Sequence, residues 1–236
     1  MRKLLSAIIA SSLIAGLASA QSIKQQNSSF EDFLPLFEMD GLQMYSFDIS
    51  QLSDSKRIFE FVIHEYAGDS LINDNYFTFP MRRATPNIRF TKEFGEQASE
   101  IKPEEMADPQ RGIYSMSEKF NIGLKNYNDS TKSLLIDMVG MRQMNERLPL
   151  KSITFSDDPT PKYVYQTRPF KLGSIKEDEF IPLILIGSAW LDKRFNIIRF
   201  CGEKILDPEL DNNMIIKDIP HYYIVGVKIS HDKSDK

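Results

Sequence analysis

The segment Ile186-Gly187-Ser188-Ala189 sets a serine after a glycine at the end of a long apolar run. Serine-nucleophile chemistry needs a sharp exposed turn, a base within hydrogen-bond reach and, in the nucleophile-elbow pattern, a second glycine. The second glycine is missing and no helix pattern follows. Gly187 is therefore expected to permit a bulge or close packing, and Ser188 is not assigned as catalytic. The single cysteine, Cys201, ends the stretch Ile198-Arg199-Phe200-Cys201, with neither a histidine nor a second cysteine close by. It reads as a small apolar strand residue rather than a reactive thiol or an intermolecular bridge.

Zinc needs clustered histidine, cysteine or carboxylate ligands. The histidines are His64, His221 and His231, and no two are closer than ten residues. His64 and His221 both fall in strand patterns, so with a carboxylate such as Glu60 they would make a site if they met across a sheet. The simpler expectation is edge or partly exposed strand residues, with His231 in a frayed tail. Asp207, Glu209 and Asp211 stand at alternate positions, with Asp218 at the twelfth place, a spacing similar to a calcium loop of the EF-hand type. Asn212 replaces the turn glycine, however, Asp218 is shorter than the usual glutamate, and Pro208 follows the first ligand. The competing assignment makes Asp207 a helix N-cap and Pro208 the first helical residue, with Leu210 and Met214 on one face. No catalytic, cofactor-binding or metal-ligating residue is assigned, and no cofactor is expected.

Paired carboxylates for glycoside hydrolysis would have to converge from separate strands. Glu60, Glu65, Asp137 and Asp157 are candidates that spacing does not separate from ordinary surface acids. The 16 Phe and 9 Tyr are mostly accounted for by core filling. Tyr163 and Tyr165 would share a strand face, with Tyr222 beside them, as a platform for sugars or partner proteins. No phosphate-cradling glycine loop, dinucleotide fingerprint or heptad seam is present.

The elements that would position these residues are mostly strands. Phe180–Trp190 is apolar at nearly every position and is read as a strand buried on both faces. Leu191–Arg194 would turn it into a second strand, Phe195–Cys201, forming a central hairpin. Arg57–Tyr66 alternates with Phe59, Phe61 and Ile63 on one face, and Asn73–Phe79 returns. Ser117–Val139 is a hairpin turning at Tyr127–Ser130, with Leu134, Ile136 and Met138 inward. Leu148–Phe155, Tyr163–Thr167 and His221–Ile229 complete the strands, and Pro86–Phe90 is a further short one. A short helix over Phe30–Phe37 is capped by Ser28 and Glu31 and ends or kinks at Pro35. Lys92–Arg111 is a charged excursion with one or two helical turns.

Met1–Ala20 has a basic start, an apolar core and an Ala18-Ser19-Ala20 cleavage pattern, the features of a signal peptide. Residues 21–27 form a flexible leader, 28–230 a single β-rich domain and 231–236 the tail. Export to the periplasm or the medium is expected, with no membrane span after cleavage. Loss of Arg2 and Lys3 takes the formal charge from −4 to −6, which supplies no electrostatic footprint for nucleic acid. Many short strands separated by turns predict a mainly β fold, an antiparallel β-sandwich or barrel with a few short helices, with α+β as the alternative.

The export signal, the β-rich run and the ending Phe200-Cys-Gly-Glu with Ile219-Pro-His-Tyr-Tyr-Ile-Val-Gly resemble small exported bacterial proteins grouped as domains of unknown function. That resemblance implies no site residues. The expected function is a non-catalytic exported module binding a glycan or an envelope protein. An exported hydrolase with carboxylates assembled across strands, and an assembly component using strand addition, are the alternatives.

Overall fold

The structure is a computed structural model and describes residues 27–52, 56–80, 83–84, 104, 106–111, 113–155, 158–200 and 202–231. The expected signal peptide, the Pro86–Phe90 strand, most of the Lys92–Arg111 excursion, Asp157 and Cys201 lie outside these residues. So do Gln21 to Gln26 of the leader and the tail beyond His231. The chain divides into a unit that ends at Leu36 and a second from Phe37 onward.

The fold is mainly β. In chain order the strands are β1 (Gln43–Asp48), β2 (Arg57–Ala67), β3 (Ser70–Pro80), β4 (Arg83–Ala84), β5 (Ile113–Ser115), β6 (Lys119–Asn128) and β7 (Thr131–Met138). They continue with β8 (Arg142–Pro149), β9 (Tyr165–Pro169), β10 (Phe180–Ser188), β11 (Trp190–Asp192), β12 (Ile197–Arg199) and β13 (His221–His231). A four-stranded sheet has the order β1-β6-β7-β8, and a five-stranded sheet the order β3-β2-β13-β10-β9. All their pairings are antiparallel. Neither sheet closes on itself, so the architecture is sandwich-like and not a barrel.

Alternation decides which side chains meet between the sheets, because successive residues of a strand point to opposite faces. Phe59, Phe61 and Ile63 of β2 and Val225, Val227 and Ile229 of β13 enter one core. Phe120, Ile122 and Leu124 of β6 and Leu134, Ile136 and Met138 of β7 meet them from the other sheet. A register shift between Pro182 and Ile184 sends both Leu183 and Ile184 of β10 into this core.

A second apolar cluster lies on the outer face of the five-stranded sheet. Leu185, Tyr222 and Ile224 pack there against Leu206, Ile215 and Ile219. The covering segment includes the short helix α1 (Met214–Asp218). This explains the uninterrupted apolar character of Phe180–Ser188, since a strand covered on both faces has no solvent side. The expected central hairpin is corrected. β10 pairs with β13 and β9, while β11 and β12 form a separate two-stranded ribbon.

Three other element boundaries move. The N-terminal helix starts as a 3-10 turn over Glu31–Phe33 and becomes α-helical over Leu34–Met39. Pro35 therefore sits in a first α-turn, where its missing N–H costs nothing. The bonded capping pair is Ser29 with Asp32, at 2.7 Å from the Ser29 amide, one residue later than expected. The helix closes on Gly41, at φ 70°, with Leu42 N–H donating to Phe37 O and Gly41 N–H to Glu38 O, a Schellman motif. β1 was not expected as a strand, and the strand expected over Leu148–Phe155 lies earlier, as β8, ending at Pro149 and leaving only an isolated bridge from Ile153 to Lys162. β8 carries Arg142, Gln143, Asn145, Glu146 and Arg147 and lies at a sheet edge, where little of it is buried.

Candidate functional site

The inner faces of the two sheets turn polar at one end. On β9, β10 and β13 the row Tyr165, Ser188 and His221 continues the alternation that buries Ile184, Ile186 and Tyr223. β2 adds Glu65, opposite Tyr223 in register. These side chains form one chain of hydrogen bonds. His221 Nε2 lies 3.0 Å from Glu65 Oε1, and His221 Nδ1 lies 2.5 Å from the Tyr165 hydroxyl. With Nε2–H donating to the carboxylate, Nδ1 accepts from Tyr165. The Tyr165 oxygen in turn accepts the Lys151 backbone N–H at 2.9 Å. Tyr223 OH faces two acceptors, Pro149 O at 2.6 Å and Glu65 Oε1 at 3.1 Å.

Burial sets the protonation states. Desolvation lowers the His221 pKa, against the raising effect of Glu65. Tyr165 is pushed up to about 12, mainly by burial, so it keeps its proton and is no general base near neutrality. Burial raises Tyr223 further in the same direction. The chain thus runs across the five-stranded sheet with His221 held between a carboxylate and a phenol, and it reaches the other sheet where Tyr223 OH donates to the Pro149 carbonyl of β8. Its chemical capacity is to fix the Tyr165 ring, since both the proton and a lone pair of that hydroxyl are engaged inside the protein.

A pocket of about 660 Å³ opens against this ring. Gln43, Asn126 and Lys132 line it from the four-stranded sheet, and Tyr163 and Tyr165 from the other side. Tyr127 of β6, Asp129 of the β6–β7 turn and Glu38 also line it. The opening is framed by a bridge between edge strands. Tyr45 OH lies 2.7 Å from Thr167 Oγ1, whose hydroxyl reaches Gln43 Oε1 at 2.5 Å. Lys132 is buried, and its Nζ donates to Asn126 Oδ1 at 2.9 Å. Desolvation lowers its pKa.

The residues weighed from sequence are distributed differently. His64 and His221 do not meet. His64 lies on the outer face of β2, 3.4 Å from Asp74 Oδ1 and against the Phe180 ring. His221 is not an edge residue, because β13 is central and the side chain is buried. His231 belongs to β13 rather than to a tail, and its Nδ1 lies 2.9 Å from Glu177. Ser188 is buried, and its Oγ accepts the His221 backbone N–H at 3.3 Å, with no base presented to it by that contact.

The carboxylates also separate. Glu60 faces Lys228 at 3.8 Å on the outer face, Asp137 bonds Asn121 on the outer face of the other sheet, and Glu65 alone of the three enters the inner site. Tyr222 is on the opposite face of the sheet from Tyr165, stacked on Tyr66 at 4.8 Å between ring centroids, so the expected three-tyrosine platform is not formed. Asp207 Oδ1 accepts the Glu209 N–H at 2.9 Å, closing a turn rather than starting a helix at Pro208. The buried Asn213 side chain organises this loop through bonds to the Asp207 N–H and to the Asp207, Glu209 and Leu210 carbonyls. Among the described residues no group of three or more His, Cys, Asp or Glu side chains is arranged to hold a metal ion.

Lys132, Asn126 and Gln43 were missed by sequence reasoning. The signal was present for Lys132, which keeps the inward phase of Leu134, Ile136 and Met138 two residues earlier. Among the described residues no helix is long and apolar enough to cross a membrane. No curated protein matches the chain, and no solved structure does. The family described as a domain of unknown function, DUF5041, matches residues 13–231, and the chain belongs to that family.

Proposed function

We propose that this protein is an exported, non-catalytic binding module that takes a glycan in the pocket between its two sheets. The observation that carries the reading is the lining of that pocket, about 660 Å³ walled by the amides of Gln43 and Asn126 and by the rings of Tyr163 and Tyr165. That volume lies in the range of small-ligand sites. Amides offer a donor and an acceptor to neighbouring sugar hydroxyls, and tyrosine rings supply a flat apolar surface for the C–H face of a pyranose. The engagement of Tyr165 with His221 and Lys151 favours a fixed wall over a reacting group. Export rests on the Met1–Ala20 pattern and places such a module where polysaccharides occur.

The test starts from the full chain expressed with its own N-terminus and recovered outside the cytoplasm, beginning at Gln21. Affinity electrophoresis through gels containing soluble polysaccharides should retard it on at least one. Tyr163→Ala, which removes a ring of the wall, should abolish the retardation while leaving the thermal midpoint within a few degrees. A protein retained in the cytoplasm, or one retarded equally with and without Tyr163, overturns the reading.

A further inference from the structure

Lys132 is the one cation among the described pocket-lining residues. It is 7 % exposed, in the inward phase of β7, at the level where the apolar core gives way to the pocket. Placing an ammonium there is costly unless its donors are satisfied. Its group has three donors. Among the described residues it makes one hydrogen bond, to Asn126 Oδ1 at 2.9 Å, and no ion pair. The Asn126 side chain lies close against Gly41. A Cβ at that position would lie 2.5 Å from Asn126 Nδ2, and the Gly41 φ of +70° disfavours any other residue. The arrangement keeps a buried positive charge beside an open cavity, with capacity for further acceptors.

Glu38 and Asp129 also border the pocket, but both are exposed. Charges in solvent are screened by water and salt, whereas a desolvated one acts through a lower effective dielectric. The buried lysine therefore dominates the interaction with whatever enters most deeply. The lowering of the Lys132 pKa by burial agrees, since a charge that water no longer stabilises gains most from an arriving anion.

We propose that the pocket selects acidic sugars, with the oxyanion of one residue docking on Lys132 Nζ. This rests on the glycan reading above and names the ligand class within it. The shared chemistry is a sugar carrying a single negative oxyanion, from a uronic acid carboxylate or a sulfate ester. The compact ammonium is suited to either as a point charge.

The test is calorimetric titration of the full-length mature protein with three probes: a galacturonic acid trimer, a sulfated galactose trimer and a neutral galactose trimer. The expected result is that one acidic trimer binds at least about tenfold more tightly than the neutral one, a difference of about 1.4 kcal/mol. Whichever acidic trimer binds more tightly identifies the carboxylate or the sulfate as the source. Lys132→Met, which keeps an unbranched apolar chain of similar reach, should abolish the acid preference.

A complementary readout uses the unsubstituted protein carrying 13C-labelled lysine, which keeps all three donors. The Lys132 Cε resonance should titrate at higher pH with the acidic trimer bound than with the neutral one, so the proposal remains testable if Lys132→Met does not fold. Equal affinity for acidic and neutral trimers, or an acid preference that survives Lys132→Met, overturns the docking role and leaves the glycan reading standing. Absence of binding to all three trimers, together with no retardation on any polysaccharide, overturns both.

Discussion

His221 shows how one buried side chain makes stability depend on pH. Its ordinary pKa is 6.5, and burial lowers it in the folded protein. The same holds for His64, lowered first by burial and partly restored by Asp74. Below pH 6.5 the unfolded chain begins to bind protons that the folded chain refuses, so stability is present above that value and falls as the pH drops toward the folded pKa. Below the folded pKa the loss is complete and levels off. Urea unfolding at about pH 7.5 and about pH 5 should therefore show a lower midpoint in acid, spanning the range in which histidine titrates. His221→Gln should reduce that difference, at the cost of stability at neutral pH, where about 1–3 kcal/mol is typical for leaving buried polar partners unpaired. An acid-insensitive midpoint in the unsubstituted protein would show that neither histidine is held neutral.

At the scale of elements, the contact between β10 and β13 is the tightest test of the packing. Gly226 lies opposite Pro182, beside the β10 register shift. A Cβ at Gly226 would stand 2.3 Å from Phe180 Cε2 and 2.5 Å from the Ile181 carbonyl oxygen. The phenyl ring can rotate away, but the backbone oxygen is held in the ladder. Gly226→Ala should therefore cost at least about 1–3 kcal/mol, the usual range for overpacking, and shift the urea midpoint without changing the slope. Gly173→Ala is the control, because nothing lies within 4 Å of its added Cβ. It should be neutral or raise stability by about 0.4–1 kcal/mol through the unfolded chain. Equal effects at the two glycines would mean that β10 and β13 do not approach this closely. The β10 strand was legible in the sequence because it is apolar throughout. Its partners were not, since a strand buried on both faces carries no mark of which neighbour lies on which side.

For the unit from Phe37 onward, the two apolar clusters share one five-stranded sheet, so damage to either should be felt by both. Leu185 is fully buried in the outer cluster, while its neighbours Ile184 and Ile186 are fully buried in the inner one. Leu185→Asp would bury a charge among Ile215, Ile219 and Ile224, and unpaired buried charges are not tolerated at ordinary stabilities. The variant should lose cooperative unfolding by both circular dichroism and Trp190 fluorescence. A variant that keeps a sharp transition in both signals would show that the outer layer folds independently of the sandwich.

Strand alternation by itself determined which side chains face inward: Phe59, Phe61 and Ile63, the Leu134–Met138 set, and the His221–Ile229 phase in which the histidine stands. Turn residues determined the β6–β7 hairpin. Only the tertiary structure decided what each inward residue meets. Glu65 and His221 are 156 positions apart, and Tyr165 and His221 are 56 apart. A period of two encodes the face of a strand but not its neighbour, its register or whether it lies at an edge. Lys132 illustrates the division. Its phase marked it as inward, yet a lone inward lysine gains meaning only when a second sheet buries it beside an open pocket.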